Sequence, residues 1–206
     1  MLDELKSLRT HISNDYRKPQ VLPVYSRFST KKVPAAHPWV AEVRDNRRLQ
    51  DFIEDLGTTL KSLGLQSLTG PQVNAPLQIV AIMRDAKPFV FLNPTAVSVG
   101  PPSHEEKIET SISFPWVRVK IARPTEAKVS YLNRSGEIVE ETLYGAEAGA
   151  LCQGLENLAG GSILDHLPAV LRATAIRKAK LLMRKYENSL KTSRGKNKTP
   201  PKAARK

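Results

Sequence analysis

The sequence predicts an α+β fold. Three observations carry that reading: an amphipathic helical stretch with a start and a stop signal between Asp45 and Gly64, a series of short apolar or alternating runs from Leu77 to Leu143, and two further helical stretches after Leu143. Residues 1–20 read as a short polar helical arm, with Leu2, Leu5 and Leu8 on one face and Asn14-Asp15 then Lys18-Pro19 marking a break. Val21 to Tyr25 reads as an extended segment, and Ser26 to Ala36 is polar and basic. The first strong helix has Asp45 or Asn46 as cap. Its Leu49, Phe52, Ile53, Leu56, Leu60 and Leu63 recur at helical spacing, and Gly64 stops it.

The pattern then turns to strands. Leu77–Met83 and Phe89–Leu92 are apolar runs of strand length, the second ended by Asn93-Pro94. Trp116–Ile121 alternates with period two. Ala127–Leu132 and Glu137–Leu143 read as a hairpin joined by Asn133-Arg-Ser-Gly136, where Gly136 admits a positive φ. Gly145–Leu158 is predicted helical and ends at Gly160-Gly161. A last helix is predicted from about Pro168 to Leu190, followed by a Lys/Arg/Pro-rich tail.

Length and charge narrow the class of protein. At 206 residues one domain with a sizeable core is expected. The formal net charge is +12, and it is unevenly placed. Residues 172–206 hold 13 Lys/Arg and one acid, whereas the rest of the chain holds 19 of each sign. Such a layout suits a polyanion-facing appendage on a neutral body. No apolar run is long enough to span a bilayer, the acidic start Met-Leu-Asp-Glu-Leu has no signal-peptide core, and the single Cys152 excludes an internal disulfide. Together these give a cytoplasmic expectation, with an organellar matrix as the variant, and no membrane partner.

Three segments carry most of the functional information: Leu65-Gln-Ser-Leu-Thr-Gly-Pro-Gln72, Glu109-Thr-Ser-Ile-Ser113 and Cys152-Gln-Gly-Leu-Glu-Asn-Leu158. In order and spacing they resemble the signature motifs of peptide deformylases, G-x-G-L-A-A-P-Q, E-G-C-L-S and Q-H-E-x-D-H. That resemblance covers about residues 21–188 and implies antiparallel sheets around a central helix, with a C-terminal helix. It divides the chain into an N-terminal arm (1–20), a deformylase-like domain (21–188) and a basic disordered tail (189–206). Members of that family remove the formyl group from nascent peptides, using a metal held by one Cys and two His and a Glu as general acid/base.

Carried over position by position, the resemblance places Ser111 at the Cys, Gly154 and Leu158 at the two His, and Leu155 at the Glu. An alcohol is a poor metal ligand at neutral pH, Gly and Leu offer no lone pair, and Leu cannot move a proton. Gln72 retains the family's carbonyl-polarising amide, and Glu109 and Arg123 fall at positions of a buried ion pair. Leu65 and Ser67 stand where the first motif has two glycines. Trp116 stands where a small residue often occurs and is expected to cover the peptide groove.

The resulting expectation is a catalytically inactive, metal-free and cofactor-free member of the family. It would act as a binding or structural module on a ribosome or another RNA-rich assembly. Arg177, Lys180, Arg184 and Lys191 on the terminal helix, with Arg194, Lys196 and Lys198 beyond, would make the phosphate contacts. Two alternatives stand beside it. One is an active divergent deformylase or hydrolase, including one using Ser111; the other is a protein that binds formyl-Met nascent peptides without cleaving them.

Overall fold

The computed structural model describes residues 17–24 and 36–196. Helix α1 (Arg47–Ser62) starts as its sequence predicts: Asn46 is the cap, its Oδ1 accepting from the Leu49 N–H at 3.0 Å. Its apolar face supplies Leu49, Ile53, Leu56 and Leu60 to the core. The preceding segment lies along α1 in extended form. Arg17 pairs with Asp55 at 2.7 Å, and the Leu22 N–H donates to Thr59 Oγ1.

Five strands form the main sheet, in the order β1 (Ser67–Thr69), β2 (Ile79–Arg84), β3 (Lys87–Val99), β6 (Glu126–Leu132), β7 (Ile138–Tyr144), all antiparallel. β4 (Lys107–Ser111) and β5 (Phe114–Ile121) form a separate hairpin. Helix α2 (Gly145–Leu158) and the long α3 (Ala169–Lys196) complete the order. Alternation along β2 explains why the sheet is covered on both faces. Ile79 and Ala81 join Leu68 and the α1 leucines in one cluster, while Val80 and Ile82 join Phe91, Val129 and Leu151 of α2 in another. A third cluster joins Val117, Val119 and Ile121 of β5 to Ile163, Leu164 and Ala179, seating α3 on the hairpin.

Several element boundaries differ from the sequence prediction. β3 does not stop at Asn93-Pro94 but runs to Val99. Asn93 adopts φ 48° at a register shift, and its side chain exchanges two 2.7 Å hydrogen bonds with the Trp39 backbone, so the strand bends and continues. β1 and β4 were not anticipated, being short and polar. α3 continues past Leu190 to Lys196, so the first eight residues of the expected disordered tail are helical. The predicted hairpin forms at the expected turn, with Gly136 at φ 81°. The helical arm predicted for residues 1–20 lies, up to residue 16, outside the described residues, as does Lys198. No described helix is long and apolar enough to cross a membrane.

Candidate functional site

The three motif segments meet at one cleft. It has a volume of about 380 Å³ and is lined by Leu65, Gln66, Ser67 and Gln72 from the first motif, Glu109–Ser111 of β4 with the following Ile112, and Gly149, Ala150 and Gln153 from α2, with Arg123 at one side. Sheet register and helix pitch bring together residues more than 80 positions apart. Gln72 is fixed within it. Its Oε1 accepts from the Thr69 N–H at 2.9 Å and the Thr69 hydroxyl at 3.1 Å, and its Nε2 donates to Ser113 Oγ at 3.2 Å. The Ser113 N–H in turn donates to Ser111 Oγ at 3.2 Å.

One wall of the cleft is ionic. Arg123 grips Glu109 with two bonds of 2.9 Å, and its third arm reaches Glu156 at 2.8 Å. Gln153 Nε2 donates to Glu109 Oε2 at 3.2 Å, and His166 Nε2 lies 2.9 Å from Glu156 Oε1. Burial opposes the charge on Arg123, yet its bonds to Glu109 and Glu156 outweigh that and lift its pKa above the ordinary value. Glu109 and Arg123 were anticipated from the resemblance. Glu156 and His166 were not: Glu156 stands at the unspecified position of the third motif, and the resemblance gives His166 no role. Gln153 was legible only as a letter within the third motif.

The remaining site residues fall elsewhere. Leu155 and Leu158 are half-buried and pack against the cluster between the sheet and α2 rather than lining the cleft. Cys152 joins the same cluster, where burial pushes its thiol pKa up despite the nearby Arg123. Trp116 does not cover the cleft. It sits at φ 66°, 45% exposed, with its ring 6.0 Å from that of Tyr186 on α3. Arg177, Lys180 and Arg184 are exposed along α3, and Lys191, Arg194 and Lys196 continue its backbone.

A metal can be tested against these positions directly. Ser111 keeps only a neutral hydroxyl, and Leu158 is an apolar contact. Position 154 has no room for a side chain: a Cβ there would overlap Val80 Cγ1 and lie 3.0 Å from Val80 Cγ2. Among the described residues, no group of three or more His, Cys, Asp or Glu could hold a metal ion. The residues present therefore do not fit the metal of the resembled family, and no reaction step is derived through one.

An antiparallel sheet clasped by two helices, with a small cleft between a central helix and a hairpin edge, defines an α+β protein. A family model described as "Polypeptide deformylase" matches residues 34–173, and the chain belongs to that family. It is 34% identical over 129 residues to the peptide deformylase of Pseudothermotoga lettingae, covering 62% of this chain and 72% of that protein. To the peptide deformylase of Aquifex aeolicus it is 30% identical over 145 residues, covering 68% and 85%. The crystal structure of peptide deformylase from Thermotoga maritima matches with a TM-score of 0.65 and 26% identity, over 72% of this chain and 99% of that one. That of Ehrlichia chaffeensis matches in fold with a TM-score of 0.68, over 81% and 98%.

These matches correct the functional expectation. The family model and the relatives are those of an enzyme, so the expectation of a non-enzymatic pseudoenzyme on a ribosome or RNA-rich assembly is overturned. The RNA-contacting role given to Arg177, Lys180, Arg184, Lys191, Arg194, Lys196 and Lys198 is withdrawn with it.

Proposed function

We propose that this protein is a peptide deformylase-class hydrolase acting on the formylated amino terminus of a peptide, which enters the cleft between β4, the Leu65–Gln72 segment and α2. The observation that carries the reading is the convergence of all three motif segments on that one cleft, with Gln72 held rigidly at its wall. An amide nitrogen has two hydrogens, and Ser113 takes only one of those on Gln72. The second is available to a substrate carbonyl, where a preorganised donor favours developing negative charge on oxygen. The Arg123–Glu109–Gln153 wall holds β4 against α2 and so fixes the cleft width. No step is assigned to Ser111, whose hydroxyl is neutral and accepts from the Ser113 N–H, or to Gly154, Leu155 and Leu158, whose side chains supply neither a donor nor a titratable group.

The test is release of formate and a free amino terminus from a formyl-Met tripeptide. It uses full-length protein produced in a host depleted of its own deformylase, with and without added divalent metal. Turnover that falls about 10²–10³-fold on Gln72→Leu, the usual cost of removing such a donor, supports the reading. Peptide binding without turnover, or neither, overturns it.

A further inference from the structure

We infer that Ser67 and Val80 occupy the space in which a ligand side chain at position 154 would reach a metal, so that positions 111, 154 and 158 hold no divalent ion in this chain. The inference rests on family membership and on packing, and is independent of whether the chain turns over substrate. β1 and β2 pair with Thr69 opposite Val80 and Ser67 opposite Ile82, which sends Ser67 and Val80 to the α2 face of the sheet. There Gly154 is met by both of them: its absent Cβ would overlap Val80 Cγ1, lie 3.0 Å from Cγ2 and lie 3.2 Å from Ser67 Oγ. Gly154 and Val80 are both buried, and Ser67 is 8% exposed.

The resemblance gives this contact a direction. The family's first motif has glycine where this chain has Ser67, and its third motif has a large side chain where this chain has Gly154. Bulk has been exchanged across the contact, with the small residue now on the helix and the larger one on the strand. The exchange is imperfect, because Ser67 Oγ is buried with no hydrogen-bond partner among the described residues. A hydroxyl stranded in this way costs free energy unless something compensates, here the closer seating of α2. Restoring the three ligands alone would drive the 154 imidazole into Val80.

The experiment uses cobalt(II), whose thiolate charge-transfer band reports a Cys ligand directly. The full-length S111C/G154H/L158H variant is expected to show no stoichiometric band. Adding S67G and V80A should bring the band to one equivalent. A stoichiometric band in the triple variant would overturn the inference, as would its absence in a five-fold variant that retains native far-UV circular dichroism. Two further measurements decide the matter should the five-fold variant not fold. The first is dialysis of the native chain against cobalt, where one tightly held equivalent lost on Ser111→Ala overturns it. The second is a cycle of G154A, V80A and the double variant followed by urea midpoint. G154A should lower the midpoint markedly, and V80A should recover part of that loss; strictly additive effects overturn the packing argument.

Discussion

The two sides of helix α2 are built on opposite principles. Toward β2 it is sealed: Ala148, Leu151 and Gly154 are buried, and the backbone approaches Val80 so closely that no side chain fits between. Toward β4 it is open and ionic, with Gln153 and Glu156 joined to Glu109, Arg123 and His166. Van der Waals contact on the first side has no directional requirement beyond shape, so it tolerates no change of volume. The second side depends on the geometry of a guanidinium fork between two carboxylates, and it tolerates changes of volume but not of charge. One helix thus separates the core from the cleft, and the cleft wall is the part that could be remodelled without unfolding the sheet.

The sharpest way to break this contrast is a pair of truncations. Leu151 is fully buried, and Leu151→Ala should cost about 2–5 kcal/mol in urea unfolding. Arg123→Ala strands Glu109 and Glu156 but leaves both near solvent, and about 1–3 kcal/mol is expected. Arg123→Lys should recover only part of that, because an ammonium cannot grip both carboxylates at once. A larger loss at Arg123 than at Leu151 would reverse the assignment of core and cleft.

A pH titration sharpens the sealed side. Tyr131 is 5% exposed, with ring centroids 4.7 Å from Phe91 and 6.1 Å from Phe89. Burial, helped by its bond to Glu141, pushes its phenol up to about 12. An acid whose folded pKa is raised stabilises the fold while it is protonated. That contribution is complete below the unfolded value of about 10 and is lost as pH rises toward 12. Thermal unfolding should therefore show a stability decline above pH 10 that Tyr131→Phe reduces, and tyrosinate absorbance should resolve one late-titrating ring. Equal slopes in the two proteins would place Tyr131 in contact with water.

The smallest expected effect concerns Cys152, at the boundary between the two sides. Its thiol is raised by burial, so reaction with a disulfide reagent at pH 8 should be slower than that of a free thiol by several-fold. Arg123→Ala removes a neighbour that favours the thiolate, and the rate should fall further. An increase would mean that the ionic wall, rather than the core, shields the sulfur.

Local signals in the sequence located α1, α2 and the β6–β7 hairpin well. Asn46 has an oxygen to cap the first turn, Gly145 and Gly160 bracket α2, and Gly136 closes the hairpin. β1 and β4 escaped because strands of three and five residues with polar positions have no periodicity of their own. The continuation of β3 through Asn93-Pro94 escaped for a different reason. A Pro normally ends a strand, but here the Trp39 backbone supplies the hydrogen bonds that hold the bulge. Of the cleft, Gln72, Ser111, Glu109 and Arg123 were legible through the resemblance, whereas the pairing of Glu156 with His166 exists only because the short 3-10 turn Ile163–His166 returns beside α2.

The sequence by itself determined the fold family, the extents of α1, α2 and the β6–β7 hairpin, and the absence of a donor side chain at Gly154 and Leu158, since these depend on residue identity and short-range spacing. Only the tertiary structure decided what stands against those positions. That Gly154 is a contact point rather than a gap follows from the position of Val80, 74 positions earlier, on the facing strand. Whether a small residue leaves a cavity or admits a close neighbour depends on the distance between two backbones, and sheet register and helix seating set that distance.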